Sequence, residues 1–298
     1  MTEKPAVGFV GLGIMGKPMA RNILKSGFAL SVFNRTASKM DDVAKDGAHA
    51  CQDLAELAAR SQVVITMLPD SPEVQEVILG KNGLINSLRG GMTVIDMSSI
   101  APLVSRDIAG RLATKNVEFL DAPVSGGETG AVAGSLAIMV GGRESVFNRC
   151  LPLLQSMGKS VVHVGPVGAG GYTKLVNQMI VAANIAAMGE AMTFAQKAGL
   201  DTQRVFEAIR GGLAGSKVLE TKFPMVAQRN FEPGFKLKLH QKDLKNALDT
   251  AAELGYSAEL TTRVQEMITA LCNSGKQDLD HGAIVQYFEE GGGVEIGT

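Results

Sequence analysis

A glycine-rich turn between an apolar strand and a helix is the feature that most limits what this chain can fold into. The turn is Gly11-Leu-Gly-Ile-Met-Gly16, which matches the pattern G-x-G-x-x-G. Short apolar runs at residues 6–10 and 29–33 predict strands, and residues 18–25 between them predict a helix. Strand, glycine turn, helix and strand in this order form a unit that binds dinucleotides.

Each glycine of the turn has an expected role. Gly11 allows a tight turn, Gly13 lets a pyrophosphate approach the backbone, and Gly16 lets helix and strand pack closely. The helix N-terminus adds N–H donors for phosphate oxygens. The alternative is a glycine turn that binds nothing. Cofactor contacts are expected along the whole turn, at Gly11, Leu12, Gly13, Ile14, Met15 and Gly16.

The end of the second predicted strand indicates which nicotinamide cofactor is preferred. An acid here would hold the ribose 2′-hydroxyl of NAD, but the sequence is Asn34-Arg35-Thr36. Asn34 brings no charge that would repel a 2′-phosphate, while Arg35 and Thr36 can bond one. These three residues therefore predict a preference for NADP(H), with NAD(H) possible. In the alternative interpretation, Thr36 caps the next helix and Arg35 points into solvent.

The remaining N-terminal pattern alternates between strands and helices. Strands are expected at residues 63–68, 92–96, 117–121, 136–140 and 160–164. Helices are expected at residues 37–45, 53–59, 72–79, 102–114 and 144–156. This alternation predicts an α/β protein whose N-terminal domain, residues 1–165, is a Rossmann-type doubly wound parallel sheet. Ligands of such sheets bind beyond the C-terminal strand ends, where the loops at residues 67–70, 97–99 and 123–127 are expected.

The pattern after Gly165 is helical throughout. Helices are expected at residues 169–198, 201–210, 238–254, 258–273 and 282–290, and no strand is expected. Residues 166–298 therefore predict an all-helical C-terminal domain, joined to the first by a long interdomain helix. Small residues within 182–189 suit close helix packing, either inside the chain or between subunits. We expect a homo-oligomer, a dimer or tetramer, formed through this domain.

The start of the long helix carries a candidate proton donor. Lys174 follows the glycines of Gly165-Pro-Val-Gly-Ala-Gly-Gly171, and Asn177 and Gln178 lie three and four residues further on. The three side chains therefore share one helix face, where a lysine can protonate an oxygen and the amides can hold its neighbours. The alternative is that all three are simply solvated.

Composition excludes several other classes of protein. The chain has 298 residues, 45% hydrophobic and 20% charged, with a net charge of −1, so no basic excess favours nucleic acid. The three cysteines are scattered and the four histidines lie far apart, so no metal site is expected. No segment predicts a membrane span, and the first apolar run suits a strand and glycine turn better than a signal peptide. A cytoplasmic protein is expected.

Four motifs in order resemble the β-hydroxyacid dehydrogenase family over nearly the whole chain. They are Gly8-Phe-Val-Gly-Leu-Gly-Ile-Met-Gly16, Asp121-Ala-Pro-Val-Ser-Gly-Gly127, Gly168-Ala-Gly170 leading to Lys174, and Lys242-Asp243. The family reduces acid-aldehydes with a nicotinamide cofactor. The resemblance therefore implies a small acid-aldehyde as substrate, and no nucleic-acid or membrane partner.

The resemblance also implies residue roles. Lys174 matches the family's catalytic lysine, and Ser125, Gly126 and Gly127 match its loop for the substrate carboxylate. Lys242 matches a lysine that closes over cofactor or substrate; the alternative is a surface charge paired with Asp243 or Asp249. Further cofactor contacts are implied at Met67, Leu68, Pro69 and Ser99.

One position departs from the family pattern. Many members carry asparagine four residues after the lysine, whereas here Gln178 has that place and Asn177 precedes it. Both are therefore candidates for contacting the substrate.

Three segments resemble the branch of the family that reduces tartronate semialdehyde to D-glycerate. They are residues 95–102, 126–128 and 208–216. Alternatives are a relative acting on 3-hydroxyisobutyrate and methylmalonate semialdehyde, or on succinic semialdehyde and glyoxylate. An imine-reducing relative is disfavoured because Lys174 is retained. A non-catalytic NADP-binding scaffold is the alternative from another class.

Overall fold

The computed structural model describes residues 4–297, and its contacts divide the chain into two compact units. The first unit extends to Lys174 and the second begins at Leu175. The division thus falls inside a helix, after the boundary at residue 165 that the sequence suggests.

One nine-stranded sheet forms the centre of the first unit. Its strands are β1 Val7–Val10, β2 Leu30–Phe33, β3 His49–Ala50, β4 Val63–Thr66, β5 Thr93–Asp96, β6 Glu118–Asp121, β7 Val124–Ser125, β8 Leu136–Gly142 and β9 Gly158–Gly165. The order is β3-β2-β1-β4-β5-β6-β8-β7, with β9 paired to β8. From β3 to β6 all pairs are parallel, which confirms the predicted α/β fold class.

Helices connect these strands. They are α1 Gly16–Lys25, α2 Asp41–Lys45, α3 Leu54–Ala59, α4 Ser71–Leu79, α5 Pro102–Ala113, α6 Gly127–Ala133 and α7 Glu144–Leu154, with 3-10 turns at Ala37–Lys39 and Leu84–Asn86. Neighbouring residues of a strand point to opposite faces, and each face has its own apolar cluster. One cluster contains Phe9, Ile65, Ile95 and Leu120, and the other contains Val10, Val64, Val94 and Phe119. Burial on both faces explains why these strands are continuously apolar in sequence.

Some elements of the first unit differ from the prediction. The elements β3, β7 and α6 were not predicted from the sequence, and the single helix predicted at residues 37–45 in fact divides at Met40. The edge beyond β6 is also not fully parallel, because β8 pairs antiparallel with both β6 and β7. The predicted loop at residues 123–127 therefore contains a short strand and the start of α6.

The second unit is helical. Its elements are α8 Ala169–Lys197, which begins in the first unit, α9 Thr202–Ile209, α10 Lys217–Ala227, α11 Leu237–Glu253, α12 Glu259–Leu271 and α13 Val285–Gly292, with a π turn at Cys272–Lys276 and a 3-10 turn at His281–Ile284. Only α10 was missed, and within residues 166–297 the sole β contact is an isolated bridge between Lys236 and Asp280. A single apolar cluster includes Ile185, Met192, Phe223, Leu244, Ile268 and Ile284.

Close helix packing in this unit depends on a glycine of α8. A Cβ at Gly189 would lie 2.9 Å from the Cα of Val285 on α13. A larger residue would push these helices apart. Among residues 4–297, no helix is long and apolar enough to cross a membrane.

Candidate active site

The glycine turn after β1 has the geometry that its sequence predicts. Gly11 has φ +102°, and a Cβ there would overlap the carbonyl oxygen of Met67. A Cβ at Gly16 would overlap the carbonyl oxygen of Gly11. At Gly13, by contrast, a Cβ would meet nothing within 4 Å. Two glycines are therefore required by packing within the protein, and Gly13 borders open space where a phosphate can approach.

The start of α1 suits an anionic ligand. The helix begins after Met15, and no side chain caps its first turn. The Lys17 N–H donates to the carbonyl oxygen of Gly13 at 3.1 Å and Pro18 has no N–H, so the helix would attract a pyrophosphate mainly through its dipole. Together with the open side of Gly13, this turn fits a dinucleotide.

Asn34 ties the glycine turn to the end of β2. The backbone N–H of Leu12 donates to Asn34 Oδ1 at 2.9 Å, and Asn34 Nδ2 donates to the carbonyl oxygen of Thr36 at 3.0 Å. From the sequence, Asn34 was predicted only as an uncharged residue beside a 2′-phosphate, and this bridge was not predicted. Its signal in the sequence is a polar side chain directly after a buried strand.

Arg35 and Thr36 lie at the surface beside this bridge. Both are exposed, and within residues 4–297 the Arg35 guanidinium has no hydrogen-bond or ion-pair partner. Thr36 precedes the 3-10 turn, but its hydroxyl makes no capping bond. Both side chains are therefore available to a ligand.

The loop after β4 is held by a buried polar cluster. The N–H of Leu68 donates to Ser98 Oγ at 2.9 Å, and Ser98 Oγ donates to Asp96 Oδ1 at 2.6 Å. Thr66 Oγ1 donates to the same carboxylate oxygen at 2.7 Å. The predicted cofactor residues Met67, Leu68 and Pro69 follow β4, and Ser99, half-buried, follows Ser98. Asp96 and Ser98, which sequence reasoning missed, thus fix the shape of this loop.

Two buried carboxyl groups end neighbouring strands. Asp96 on β5 is paired in register with Asp121 on β6. Burial raises the pKa of Asp96 to about 6, although hydrogen bonds from Ser98 and Thr66 lower it. Burial likewise raises the pKa of Asp121 to about 6, although hydrogen bonds from backbone amides lower it. Within residues 4–297, Asp96 Oδ2 has no hydrogen-bond partner. An acid at the end of an apolar strand was the available sequence signal for both.

The predicted carboxylate loop lies at the junction of β7 and α6. Ser125 ends the strand and is half-buried, and Gly127 begins the helix. Gly126 and Gly127 have φ of +136° and +61°, which non-glycine residues rarely adopt. These glycines therefore turn the chain sharply between β7 and α6, and the backbone amides of residues 125–127 lie at this turn.

Lys174 lies in the second turn of α8. Its side chain is only 7% exposed. A buried ammonium interacts more strongly with a nearby developing negative charge than one in water. The glycines before it, from Gly165 to Gly171, let the chain leave β9 and begin the helix.

A polar network in the second unit contains the other predicted substrate residues. Gln178 Nε2 donates to Asp243 Oδ2 at 2.6 Å, and Asn177 Nδ2 donates to Gln178 Oε1 at 2.8 Å. Lys242 Nζ lies 3.2 Å from Asp243 Oδ1. The structure therefore brings Asn177, Gln178 and Lys242 together through Asp243, which sequence reasoning had considered only as an ion-pair partner.

His240 lies beneath this network. It is fully buried, its Nε2 is 3.2 Å from the carbonyl oxygen of Gln178, and its Nδ1 is 2.9 Å from His281 Nδ1. Since the Gln178 oxygen can only accept, His240 Nε2 donates the proton. This histidine supports the backbone of α8 at Gln178.

Known proteins match both units. Residues 6–165 match the NAD binding domain of 6-phosphogluconate dehydrogenase, and residues 168–288 match the NAD-binding domain of NADP-dependent 3-hydroxyisobutyrate dehydrogenase. The 2-hydroxy-3-oxopropionate reductase of Escherichia coli (strain K12) is 43% identical, covering 95% of this chain and 97% of its own.

Solved structures agree with these matches. A structure of Mycobacterium tuberculosis 3-hydroxyisobutyrate dehydrogenase with L-serine has a TM-score of 0.88 and 32% identity, covering 95% of this chain and 99% of its own. A structure described as Psf3 in complex with NADP+ and 2-OPP has a TM-score of 0.86 and 26% identity. The match covers 96% of this chain and 99% of that one.

The fold, the glycine turn and these matches define an NAD(P)-dependent oxidoreductase that acts on hydroxyl groups. The chain belongs to the β-hydroxyacid dehydrogenase family.

Proposed function

We propose that the protein reduces tartronate semialdehyde (2-hydroxy-3-oxopropanoate) to D-glycerate with NADPH. The observation that carries this proposal is the 43% identity to the E. coli 2-hydroxy-3-oxopropionate reductase over nearly the full length of both chains. The presence of Lys174 and Ser125 supports a working enzyme rather than a non-catalytic scaffold.

Lys174 is the proposed general acid. NADPH, when bound, supplies the hydride that adds to the aldehyde carbon. Negative charge then develops on the carbonyl oxygen, and the Lys174 ammonium stabilises this charge and donates a proton from Nζ to the oxygen. The burial of Lys174 supports this role, because water screens a buried charge less.

The turn at Ser125, Gly126 and Gly127 is the proposed site for the substrate carboxylate. Successive backbone amides in a turn can surround an anion, and the Ser125 hydroxyl adds a donor. The positive φ of both glycines supports this geometry.

The two amides after Lys174 have different proposed roles. The Gln178 amide bonds both Asp243 and Asn177, so we assign it to positioning. Asn177 is half-buried, and we assign it to contact with the substrate. Lys242, whose ammonium is held near Asp243, is the proposed cation that closes over cofactor or substrate.

NADPH is the proposed cofactor rather than NADH. The exposed guanidinium of Arg35 and the hydroxyl of Thr36 suit a 2′-phosphate, and the glycine turn from Gly11 to Gly16 suits the pyrophosphate. Met67, Leu68, Pro69 and Ser99 are the proposed contacts to the riboses.

We further propose that the protein works in the cytoplasm as a homo-oligomer joined through its helical unit. The three cysteines are free, which suits a reducing compartment. Large apolar side chains are exposed on α8 at Val176, Ile180 and Phe194, and a second copy would cover them. Light scattering of the protein and of Phe194→Glu would test this, and a monomer for the unaltered protein would contradict it.

The experiment that tests the substrate measures oxidation of NADPH and NADH with tartronate semialdehyde, glyoxylate, succinic semialdehyde and methylmalonate semialdehyde. We expect tartronate semialdehyde with NADPH to give the highest kcat/KM. A higher value for another aldehyde would leave the family chemistry intact but contradict the proposed substrate. Binding of NADPH without any turnover would favour the scaffold.

A further inference from the structure

The carboxylate of Asp121 holds the beginning of the helix that carries Lys174. Asp121 ends β6 and is 2% exposed. Its Oδ1 accepts the N–H of Gly168 at 2.8 Å, and its Oδ2 accepts the N–H of Gly171 at 2.9 Å. Gly168 directly precedes α8 and Gly171 lies in its first turn. Both carboxylate oxygens are therefore bonded to the same helix end.

The packing around Asp121 leaves no freedom for this contact. A Cβ at Gly170 would overlap the carbonyl oxygens of Asp121 and Met139, and a Cβ at Gly141 would overlap Asp121 Oδ1. The backbone of α8 therefore lies directly against β6 and β8. Small movements of the carboxylate must be transmitted to the helix start, because no flexible side chain lies between them.

Lys174 is one turn beyond the anchored amide of Gly171. Residues three apart on a helix follow each other on one face, so the position of the first turn sets the origin of the Lys174 side chain. A carboxylate that accepts helix N-terminal amides also interacts favourably with the helix dipole. Burial opposes its ionisation while these amide bonds favour it.

We propose that Asp121 is a positioning residue for catalysis: it fixes the first turn of α8 and thereby places the Lys174 ammonium at the reacting oxygen. This inference rests on the proposed role of Lys174 as the general acid. Asp121 itself does not exchange a proton with the substrate.

The test compares Asp121→Asn and Asp121→Ala with Asp201→Asn. Asp201 is a matched control because its carboxylate also accepts two backbone amides at a helix start, that of α9, but plays no part in the proposed site. Asn keeps one acceptor oxygen and replaces the other with a donor, which opposes a backbone N–H. Ala removes both acceptors.

Two readouts are needed. Hydrogen exchange, followed on peptides covering residues 168–174, reports the anchor without reference to activity. Steady-state kinetics separate kcat from KM for NADPH. We expect faster exchange in both Asp121 variants, kcat reduced about 10- to 100-fold because a misplaced catalytic group slows the reaction, and an unchanged KM for NADPH. Asp201→Asn is expected to keep the kcat of the unaltered protein.

Several outcomes would overturn the inference. One is normal kcat in folded Asp121→Asn with faster exchange at residues 168–174, which would make the aspartate a helix cap only. Another is rapid exchange of the Gly171 amide in the unaltered protein, a result that does not depend on any variant folding. Normal turnover of Lys174→Ala would instead refute the proposed function, so the two failures are distinguishable.

Discussion

Asp96 and Asp121 lie opposite each other in register on adjacent parallel strands, and both carboxyl groups are buried. Each has a pKa raised by burial to about 6, from an ordinary value of 3.8. The negative charge of Asp121 also raises the pKa of Asp96, after the larger effect of burial.

This pair predicts a stability that depends on pH. The folded protein binds these protons more tightly than the unfolded chain, so their contribution to the free energy of unfolding falls as pH rises from about 4 to about 6. For one group the change amounts to ~3 kcal/mol. The free energy of unfolding of Asp96→Asn, compared with that of the unaltered protein at the same pH, should therefore be more favourable at pH 7.5 than at pH 4.5.

Urea unfolding followed by circular dichroism checks this, since the chain has no tryptophan. Asp107→Asn is the control because Asp107 is exposed on α5. Its effect on the free energy of unfolding should be similar at both pH values. Parallel pH curves for Asp96→Asn and the unaltered protein would show that Asp96 is not the titrating group.

Replacement of Lys174 should remove catalysis and leave cofactor binding intact. For Lys174→Ala we expect kcat to fall about 100- to 10,000-fold, the range for loss of a general acid. NADPH binding, measured by the fluorescence of the reduced nicotinamide, should stay within about twofold because the nucleotide turn is untouched. Lys245→Ala, at an exposed lysine paired with Asp249, should be normal in both measurements. Near-normal turnover of Lys174→Ala would remove this lysine as the acid.

Arg35 should determine the preference for NADPH. Loss of a charge-assisted bond to the 2′-phosphate in Arg35→Ala is expected to lower kcat/KM for NADPH about 10- to 100-fold. The value for NADH, which lacks this phosphate, should change little. Arg60→Ala at another exposed arginine serves as the control. An unchanged NADPH/NADH ratio would mean that Arg35 faces solvent in the complex.

Asn34→Asp tests the bridge between the glycine turn and β2. The new carboxylate can still accept the Leu12 N–H, but it cannot donate to the Thr36 carbonyl oxygen, and its charge repels a 2′-phosphate. We expect the ratio of kcat/KM for NADPH over NADH to fall at least about tenfold.

Asn86→Asp is a matched control for this change. Asn86 Nδ2 also donates to backbone carbonyls in a surface loop, those of Lys81 and Gly83 among them. This variant should lose stability without altering cofactor preference. An equal fall in the ratio for both variants would attribute the effect to general loosening of the fold.

Ser125→Ala should weaken substrate binding. Loss of one hydrogen bond to a carboxylate is expected to raise KM for the acid-aldehyde about 10-fold, with a smaller effect on kcat. The same measurement on an aldehyde without a carboxylate should show no difference between the variant and the unaltered protein. Ser257→Ala, at an exposed serine, is the control. An unchanged KM for the acid-aldehyde would exclude the proposed contact.

The sequence predicted the sheet because its strands are buried on both faces and therefore continuously apolar. It failed where this signal is absent. Both residues of β3, His49 and Ala50, are exposed, and α6 begins with glycines that resemble a loop. The helix α10 was also not predicted; it contains Pro224, although α7 was predicted with Pro152 inside it.

In the candidate site, too, local features could be predicted from the sequence and long-range contacts could not. The roles of Gly11 and Gly16 follow from a local pattern, so the sequence was sufficient. The bonds of Asn34 to Leu12, of Ser98 to Leu68 and of Asp121 to Gly168 join residues that are distant along the chain. Such partners depend on how the strands are arranged, and a single sequence does not specify them.

The continuity of α8 across the division of the chain has a practical consequence for studying the nucleotide-binding part alone. A fragment that stops at Gly165, where the last strand ends, would lack the amides of Gly168 and Gly171. The Asp121 carboxylate would then lose both of these donors, and it would become hydrated or protonated instead. A fragment meant to fold and bind cofactor by itself should therefore retain the first turns of α8.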